Sequence, residues 1–385
     1  MPDSPLRAGI PDAPDLAVPP AESPFLERIL ETAKLSGADR ALMREFAEKG
    51  YVVVDTAIED FDELAARLIE DLAPRYPAGV HRRIDEAWYF SDDVRRIATC
   101  AGILELLRTL YRREPIPFQT LNFDRGTQQP AHSDTLHFHC VPRRYMCGAW
   151  VALEDIHEGS GPLVVYPGSH TLPDLDMHDL GLPSGPEHYE EYERRIGEIA
   201  RVKGFEELAV TPKKGQAIIW AANLLHGGQA VRDAARTRHS QVTHYYFEGG
   251  LYYFPMSSDP YMKSLCMREV IDIRTGRFVP HRYRGEVVDL DDYFMAWRYP
   301  RPLPGWVEEP PRGAANGSSE SPERLADRVR TLQETVNGQR ALLEERGREL
   351  AEVRALLHEL WASKPFKLVH GAAKTWKRLF PGRSR

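Results

Sequence analysis

Apolar residues change their spacing along this chain, from helical to strand-like and back to helical. FLERILETAKL and ALMREFAEKG carry them every three to four positions, and Gly50 suits the end of the second helix. YVVVDTAI then reads as a strand, and DELAARLIEDLAPRY and GILELLRTLYRR as further amphipathic helices. From about Phe118 to Phe254 the runs shorten. PFQTLNF, MCGAWVALEDI, GPLVVYPGS, GQAIIWAAN and SQVTHYYF are strand-like segments separated by Gly, Pro and Asp. The pattern predicts a mainly β domain with flanking helices, a sandwich or jelly roll, over residues 25–300. Residues 171–209 interrupt the strands, acidic at first and then helical (HYEEYERRIGEIA). So long an excursion reads equally as a lid or substrate loop and as a surface decoration.

The two ends follow other patterns. Residues 1–24, rich in Pro, Asp and Ala, predict a disordered arm, and 301–322 a linker. Beyond it runs a heptad series: Leu325, Val329, Leu332, Val336, Gln339, Leu343, Arg346, Leu350, Val353, Leu357 and Leu360. Nine of these eleven positions are apolar, so 323–363 predicts a coiled-coil helix and a homo-oligomer formed through it. Gln339 and Arg346 on the seam set register at some cost in stability. Residues 364–385 carry seven basic residues, no acids, and the apolar side chains of Trp376, Leu379 and Phe380. This basic amphipathic tail reads as a peripheral membrane contact, or as a segment that docks on the acidic body.

Composition narrows the function classes. The chain has 385 residues and 42% hydrophobic residues, enough for a sizeable core. A net charge of −7 argues against a nucleic-acid partner, which needs a basic surface. Four cysteines without CxxC spacing read as buried thiols rather than a zinc site. The first residues lack an apolar signal core, so the expectation is a cytoplasmic protein, membrane-associated only through its tail.

The candidate chemistry begins at AHSDTLHFH, residues 131–139. If this stretch is a regular strand, His132 and Asp134 share a face. One imidazole and one carboxylate can then hold a metal with a third ligand from elsewhere. Two histidines and a carboxylate make the facial triad of non-haem Fe(II). His137 and His139 have the opposite parity and read as structural, or as substrate contacts. Downstream come GPLVVYPGSH, then an apolar strand ending in LLHGG at His226, then Arg238 and Ser240. A buried guanidinium backed by a hydroxyl suits the far carboxylate of 2-oxoglutarate. Arg236 is the runner-up for that clamp.

These motifs, in this order, resemble the phytanoyl-CoA dioxygenase family of Fe(II)/2-oxoglutarate-dependent oxygenases. FAEKGYVVVD and FQTLNFDRGTQQPAHSD belong to the likeness, which spans roughly residues 40–250. It implies a double-stranded β-helix, with iron on His132, Asp134 and His226 and the 2-oxoglutarate clamp on Arg238 supported by Ser240. Trp150 matches a family position beside the co-substrate, and Gln119 is a weaker candidate for the same pocket. The implied reaction uses O₂ and 2-oxoglutarate, releases succinate and CO₂, and hydroxylates a small or lipid- or sugar-type metabolite. Asp134 argues against halogenation, because related halogenases lack that carboxylate. Two other classes stand beside this one: a cupin-type metal dioxygenase without 2-oxoglutarate, and a catalytically silent scaffold assembled through the coiled coil.

Overall fold

The computed structural model describes residues 16–77, 82–262 and 264–290, with the backbone of 295–297. The expected linker over 301–322, coiled coil over 323–363 and basic tail over 364–385 all lie outside the described residues.

In chain order the main elements are α1 (Leu26–Thr32), α2 (Gly37–Lys49), β1 (Tyr51–Asp55), α3 (Phe61–Leu72), β2 (Arg83–Asp85), α4 (Asp92–Ala98), α5 (Ala101–Tyr111), β3 (Pro115–Phe123), β4 (His139–Val141), β5 (Met146–Ala152), β6 (Leu163–Val165), α6 (Tyr189–Lys203), β7 (Leu208–Val210), β8 (Gln216–Ala221), β9 (His226–Gly228), β10 (Ser240–Phe247), β11 (Leu251–Tyr253) and β12 (Met267–Arg268). Local chemistry explains the helix ends. Ser36 and Asp39 form a capping box at the start of α2, and Gly50 closes it in the left-handed region at φ 80°.

Six strands form one antiparallel sheet in the order β1-β8-β5-β10-β3-β2, and three form a smaller one, β7-β6-β9. The large sheet is buried on both faces. Met43, Phe46, Leu64, Leu68 and Leu107 from the helices pack on one face, against Val52, Ala149, Val151, Ile219 and Phe247. Tyr51, Phe123, Trp150, Ile218, Trp220 and Val242 cover the other face and meet Leu163 and Val165 of the small sheet. Two facing sheets with helices outside are the sandwich that the short β runs predict.

Directly paired residues project to the same face. One inward-facing row across the large sheet therefore reads Tyr51–Trp220–Gly148–His244–Gln119. Another, four residues along β10 and so about 13 Å away, reads Ala152–Ser240–Phe123.

Two expectations are corrected here. Within the arm expected to be disordered over 1–24, residues 18–22 dock on the body. Ala21 is buried, Tyr145 Oη donates to Val18 O at 2.9 Å, and the Arg144 guanidinium meets Glu22 at 2.7 Å. The cause is that Arg144 lies half-buried at a turn beside the core, where a partly desolvated cation needs anions, and Glu22 and Asp174 supply them. The second correction concerns AHSDTLHFH, which is not a regular strand. His132 makes a single bridge, a 3-10 turn follows over Asp134–Leu136, and β4 begins only at His139. Ser133 causes the break: its hydroxyl caps the turn at Thr135 N (3.3 Å) and donates to Ala222 O (3.2 Å).

The 171–209 insertion builds a small core of its own. Leu172, Met177, Leu182, Tyr192, Ile196 and Ala200 close on Leu136 and Leu225. Those two leucines flank the segments bearing Asp134 and His226, so the insertion packs over the candidate site rather than decorating a remote surface.

Candidate metal centre

His132 and His226 come together through backbone pairing. Each donates its N–H to the other's C=O at 3.0 Å, and the rings lie 4.4 Å apart. Gly227 and Gly228 make room for this. A Cβ on Gly227 would sit 2.7 Å from Gln129 O, and one on Gly228 2.8 Å from Gln128 N.

Both rings are oriented through Nδ1, His132 to Pro130 O and His226 to Leu224 O, each at 3.0 Å. A carbonyl only accepts, so the proton sits on Nδ1 and Nε2 keeps its lone pair. Burial pushes the pKa of each ring down to about 4, with the neighbouring His226 adding to the effect on His132. Both are therefore neutral near pH 7, as metal ligation requires. Asp134 Oδ1 faces His226 Nε2 at 3.7 Å. One donor atom from each of His132, Asp134 and His226 lies within 4.8 Å of the others, and all three residues are buried. Among the described residues this is the one such group.

Asp134 Oδ2 is held from the large sheet. Trp220 Nε1 donates to it at 2.8 Å, and His244 Nε2 lies 3.7 Å from it. His244 in turn is tied through Nδ1 to Gln119 Oε1 at 2.9 Å. Trp220 and His244 are buried; the sequence offers His244 only as part of a run that could accept a polar substrate, and does not single out Trp220. An aromatic residue on a strand looks like core, and nothing in a sequence places Asp134 above that row.

The remaining candidates divide into two places. Arg238 is 2% exposed. It donates to Gly161 O (3.0 Å) and Arg125 O (3.3 Å), while its Nε and the hydroxyl of Ser240 have no partner. Trp150 and Phe123 face its guanidinium at 5.6 and 5.8 Å. Burial alone lowers its pKa, to about 10, with no carboxylate opposing. An uncompensated buried cation beside unpartnered polar atoms fits an anionic group that the protein itself does not provide. Arg236, the runner-up, is exposed and paired with Asp233 at 3.1 Å. Gln119, the weaker candidate for the co-substrate pocket, lies at the His244 end of the sheet, two rows from Ser240.

His137 and His139 stay outside the ligand group. Because the strand breaks at Ser133, His137 does not point away as parity predicts. Its ring stands 6.5 Å from His132 and packs against Tyr189 of the insertion at 5.0 Å. His139 Nε2 lies 3.4 Å from Asp174 Oδ2, in the Arg144 network.

The profile of the phytanoyl-CoA dioxygenase family matches residues 40–240, more than half of the chain. The chain belongs to the phytanoyl-CoA dioxygenase family. The family segment contains all seven sequence-predicted site residues and the Trp220 support. No curated protein sequence matches the chain. Among solved structures it is similar to the non-heme alpha ketoglutarate dependent epimerase SnoN from nogalamycin biosynthesis, at 21% identity over 57% of this chain and 86% of that one, with a TM-score of 0.45. It is also similar to EctD from S. alaskensis with bound Fe (24% identity, 56% and 78% covered, TM-score 0.40) and to AviO1 from Streptomyces viridochromogenes Tue57 (19%, 56% and 97%, 0.41).

Proposed function

We propose that this protein is an Fe(II)- and 2-oxoglutarate-dependent oxygenase that hydroxylates a small-molecule substrate. The observation that carries the reading is the pairing of two neutral, Nε2-presenting imidazoles with one carboxylate, near a buried guanidinium that lacks a counter-charge. Two histidines and one carboxylate are the donor set of non-haem Fe(II) oxygenases. His132, Asp134 and His226 would hold the iron. Arg238 and Ser240 would take the distal carboxylate of 2-oxoglutarate, with Trp150 walling the pocket.

When bound, iron with 2-oxoglutarate would use O₂ as the oxidant: one oxygen atom would replace a substrate C–H by C–OH, and the other would enter succinate as 2-oxoglutarate loses CO₂. The chain does the rest. Arg238 gives the co-substrate one orientation by charge-assisted hydrogen bonds in a dry pocket. The Nδ1 hydrogen bonds of the two histidines fix their rings. Leu136 and Leu225, clamped by the insertion, hold the ligand-bearing segments still. The insertion also brings Tyr189 against His137 and Gln129 (Gln129 Nε2 to Tyr189 Oη, 3.2 Å), which makes these three the substrate-side groups of this reading.

A cupin-type dioxygenase without 2-oxoglutarate leaves Arg238 unexplained, and a silent scaffold leaves the ligand set unexplained. The test is anaerobic Fe(II) loading followed by 2-oxoglutarate. A visible charge-transfer band, lost in His132→Ala, is expected. Metal-loaded protein with no band sinks the 2-oxoglutarate reading.

A further inference from the structure

Asp134 has two oxygens, and they face different neighbours. Oδ1 looks toward His226 Nε2, while Oδ2 accepts the Trp220 indole N–H at 2.8 Å. We propose that Trp220 is a positioning residue that reserves Asp134 Oδ2, so that the aspartate offers a metal Oδ1 alone; the inference rests on the reading under Proposed function.

The sheet is built to make this contact. Trp220 sits on β8 directly opposite Gly148 of β5, and the indole lies across that glycine. A Cβ at position 148 would come within 2.2 Å of the ring, so any other residue there displaces the indole. The ring also packs on His226 at 4.9 Å, which leaves it little freedom to swing. His244 cannot take over the task. With Gln119 Oε1 accepting from Nδ1, the nitrogen that His244 turns to Oδ2 carries a lone pair and donates nothing.

The consequence is a matter of coordination number. A carboxylate with both oxygens free can chelate and fill two positions. Two imidazoles and one oxygen leave three positions of an octahedral ion. A chelating aspartate leaves two, too few for a co-substrate that binds through two atoms together with a further molecule. An indole N–H, buried and rigid, opposes chelation because Oδ2 would have to give up its hydrogen bond in a dry site. A bulky aromatic at position 220 would serve packing equally well without its nitrogen, so the N–H is the group to test.

The experiment uses the full-length protein with Trp220 replaced by β-(3-benzothienyl)alanine, which keeps the ring shape and exchanges N–H for sulfur. Trp220→Phe and Gly148→Ala are made alongside it. Each is titrated with Co(II), read by its d–d absorption, and each Fe(II)-loaded protein is titrated anaerobically with 2-oxoglutarate, read by the charge-transfer band. The expected result is a changed Co(II) spectrum in the isostere and a 2-oxoglutarate dissociation constant raised about tenfold or more, with Gly148→Ala moving the same way. An isostere that matches the wild type in both titrations overturns the inference, because packing alone then suffices. The isostere decides between the two even if Trp220→Phe does not fold. Wild-type protein that binds neither metal overturns the proposed function, and this inference with it.

Discussion

His132 and His226 exchange both backbone hydrogen bonds, each at 3.0 Å, and this one bridge joins two distant parts of the chain at the metal centre. Side-chain ligation is thus built on main-chain geometry. Asp134 arrives from the turn that Ser133 starts immediately afterwards. His137 belongs to the same turn region but contributes no donor to the group. His132→Ala is therefore expected to lower Co(II) affinity by about 100-fold, while His137→Ala stays within a few-fold of the wild type. Isothermal titration with Co(II) decides it, and equal loss in both variants would show the ligand set to be wrong.

Arg238 and Arg236 sit two residues apart in sequence and in opposite surroundings. One is buried without a counter-charge, and the other is exposed beside Asp233. Arg238→Ala is expected to weaken 2-oxoglutarate binding by about 100-fold, from the loss of charge-assisted bonds of roughly 1.5–3 kcal/mol each. Arg238→Lys recovers only part, because an ammonium lacks the planar fork. Arg236→Ala leaves binding unchanged. Titrating the charge-transfer band in all three variants measures this, and a larger effect at Arg236 contradicts the assignment.

Much of this fold is legible in the pattern of apolar residues. SQVTHYYF is β10 from end to end, and Gly50 ends α2 as expected. What the pattern misses has physical reasons. Strands of three residues such as β4 and β9 are too short to show a period. Whether AHSDTLHFH is a strand depends on its partners, and sequence alone does not reveal that only its two ends have them, His132 with His226 and His139 with Tyr253. The order of HSD, LLHGG and RxS marks His132, Asp134, His226 and Arg238 because their residue types are uncommon in buried positions. Trp220, His244 and Gly148 carry no such mark. Their roles exist only once β8, β5 and β10 are in register, when one row of the sheet faces Asp134.

Stability of the metal-free protein should rise with pH between about 4.5 and 6.5. Burial holds His132, His226, His244 and His281 at about 4 and His137 at about 3, against 6.5 in the unfolded chain. In that window these five are neutral when folded and protonated when unfolded. Glu22 and Glu86 act in the opposite sense, because burial raises each to about 7. His170 and His239, lowered by burial, stand against Glu193 and Glu248, raised by it, so the balance stays with the histidines; the unfolded chain binds more protons, and stability then increases with pH. Urea midpoints across the range test the sign, and a midpoint that falls from pH 4.5 to 6.5 contradicts it.

Gln119 fixes the tautomer of His244 by accepting from Nδ1 at 2.9 Å. Gln119→Leu removes the acceptor and leaves a buried N–H unsatisfied, at a cost of about 1–3 kcal/mol. Without that tie the ring can move its proton to Nε2 and donate to Asp134 Oδ2, 3.7 Å away. The expected outcome is a lower urea midpoint together with exchanged ¹⁵N shifts of the two His244 ring nitrogens. Unchanged shifts in a folded variant would remove Gln119 from the network.

Glu22 gives the sharpest test of the docked N-terminal segment. Its carboxylate is buried against Arg144 at 2.7 Å, and burial holds its pKa at about 7 even though Arg144 pulls it down. Glu22→Ala leaves Arg144 with Asp174 as its remaining close anion and is expected to cost about 1–3 kcal/mol. Glu22→Gln keeps the shape and removes the titration. In the wild type this group binds a proton more tightly when folded, so its contribution to stability is fully present below about 4.5 and is lost as pH rises through 7. Glutamine has no such loss. The stability of Glu22→Gln relative to the wild type should therefore increase from pH 4.5 to 7 and level off above it. Paired urea titrations at several pH values measure that difference. A gap independent of pH would mean that Glu22 is solvated and that the segment before α1 does not hold the position described.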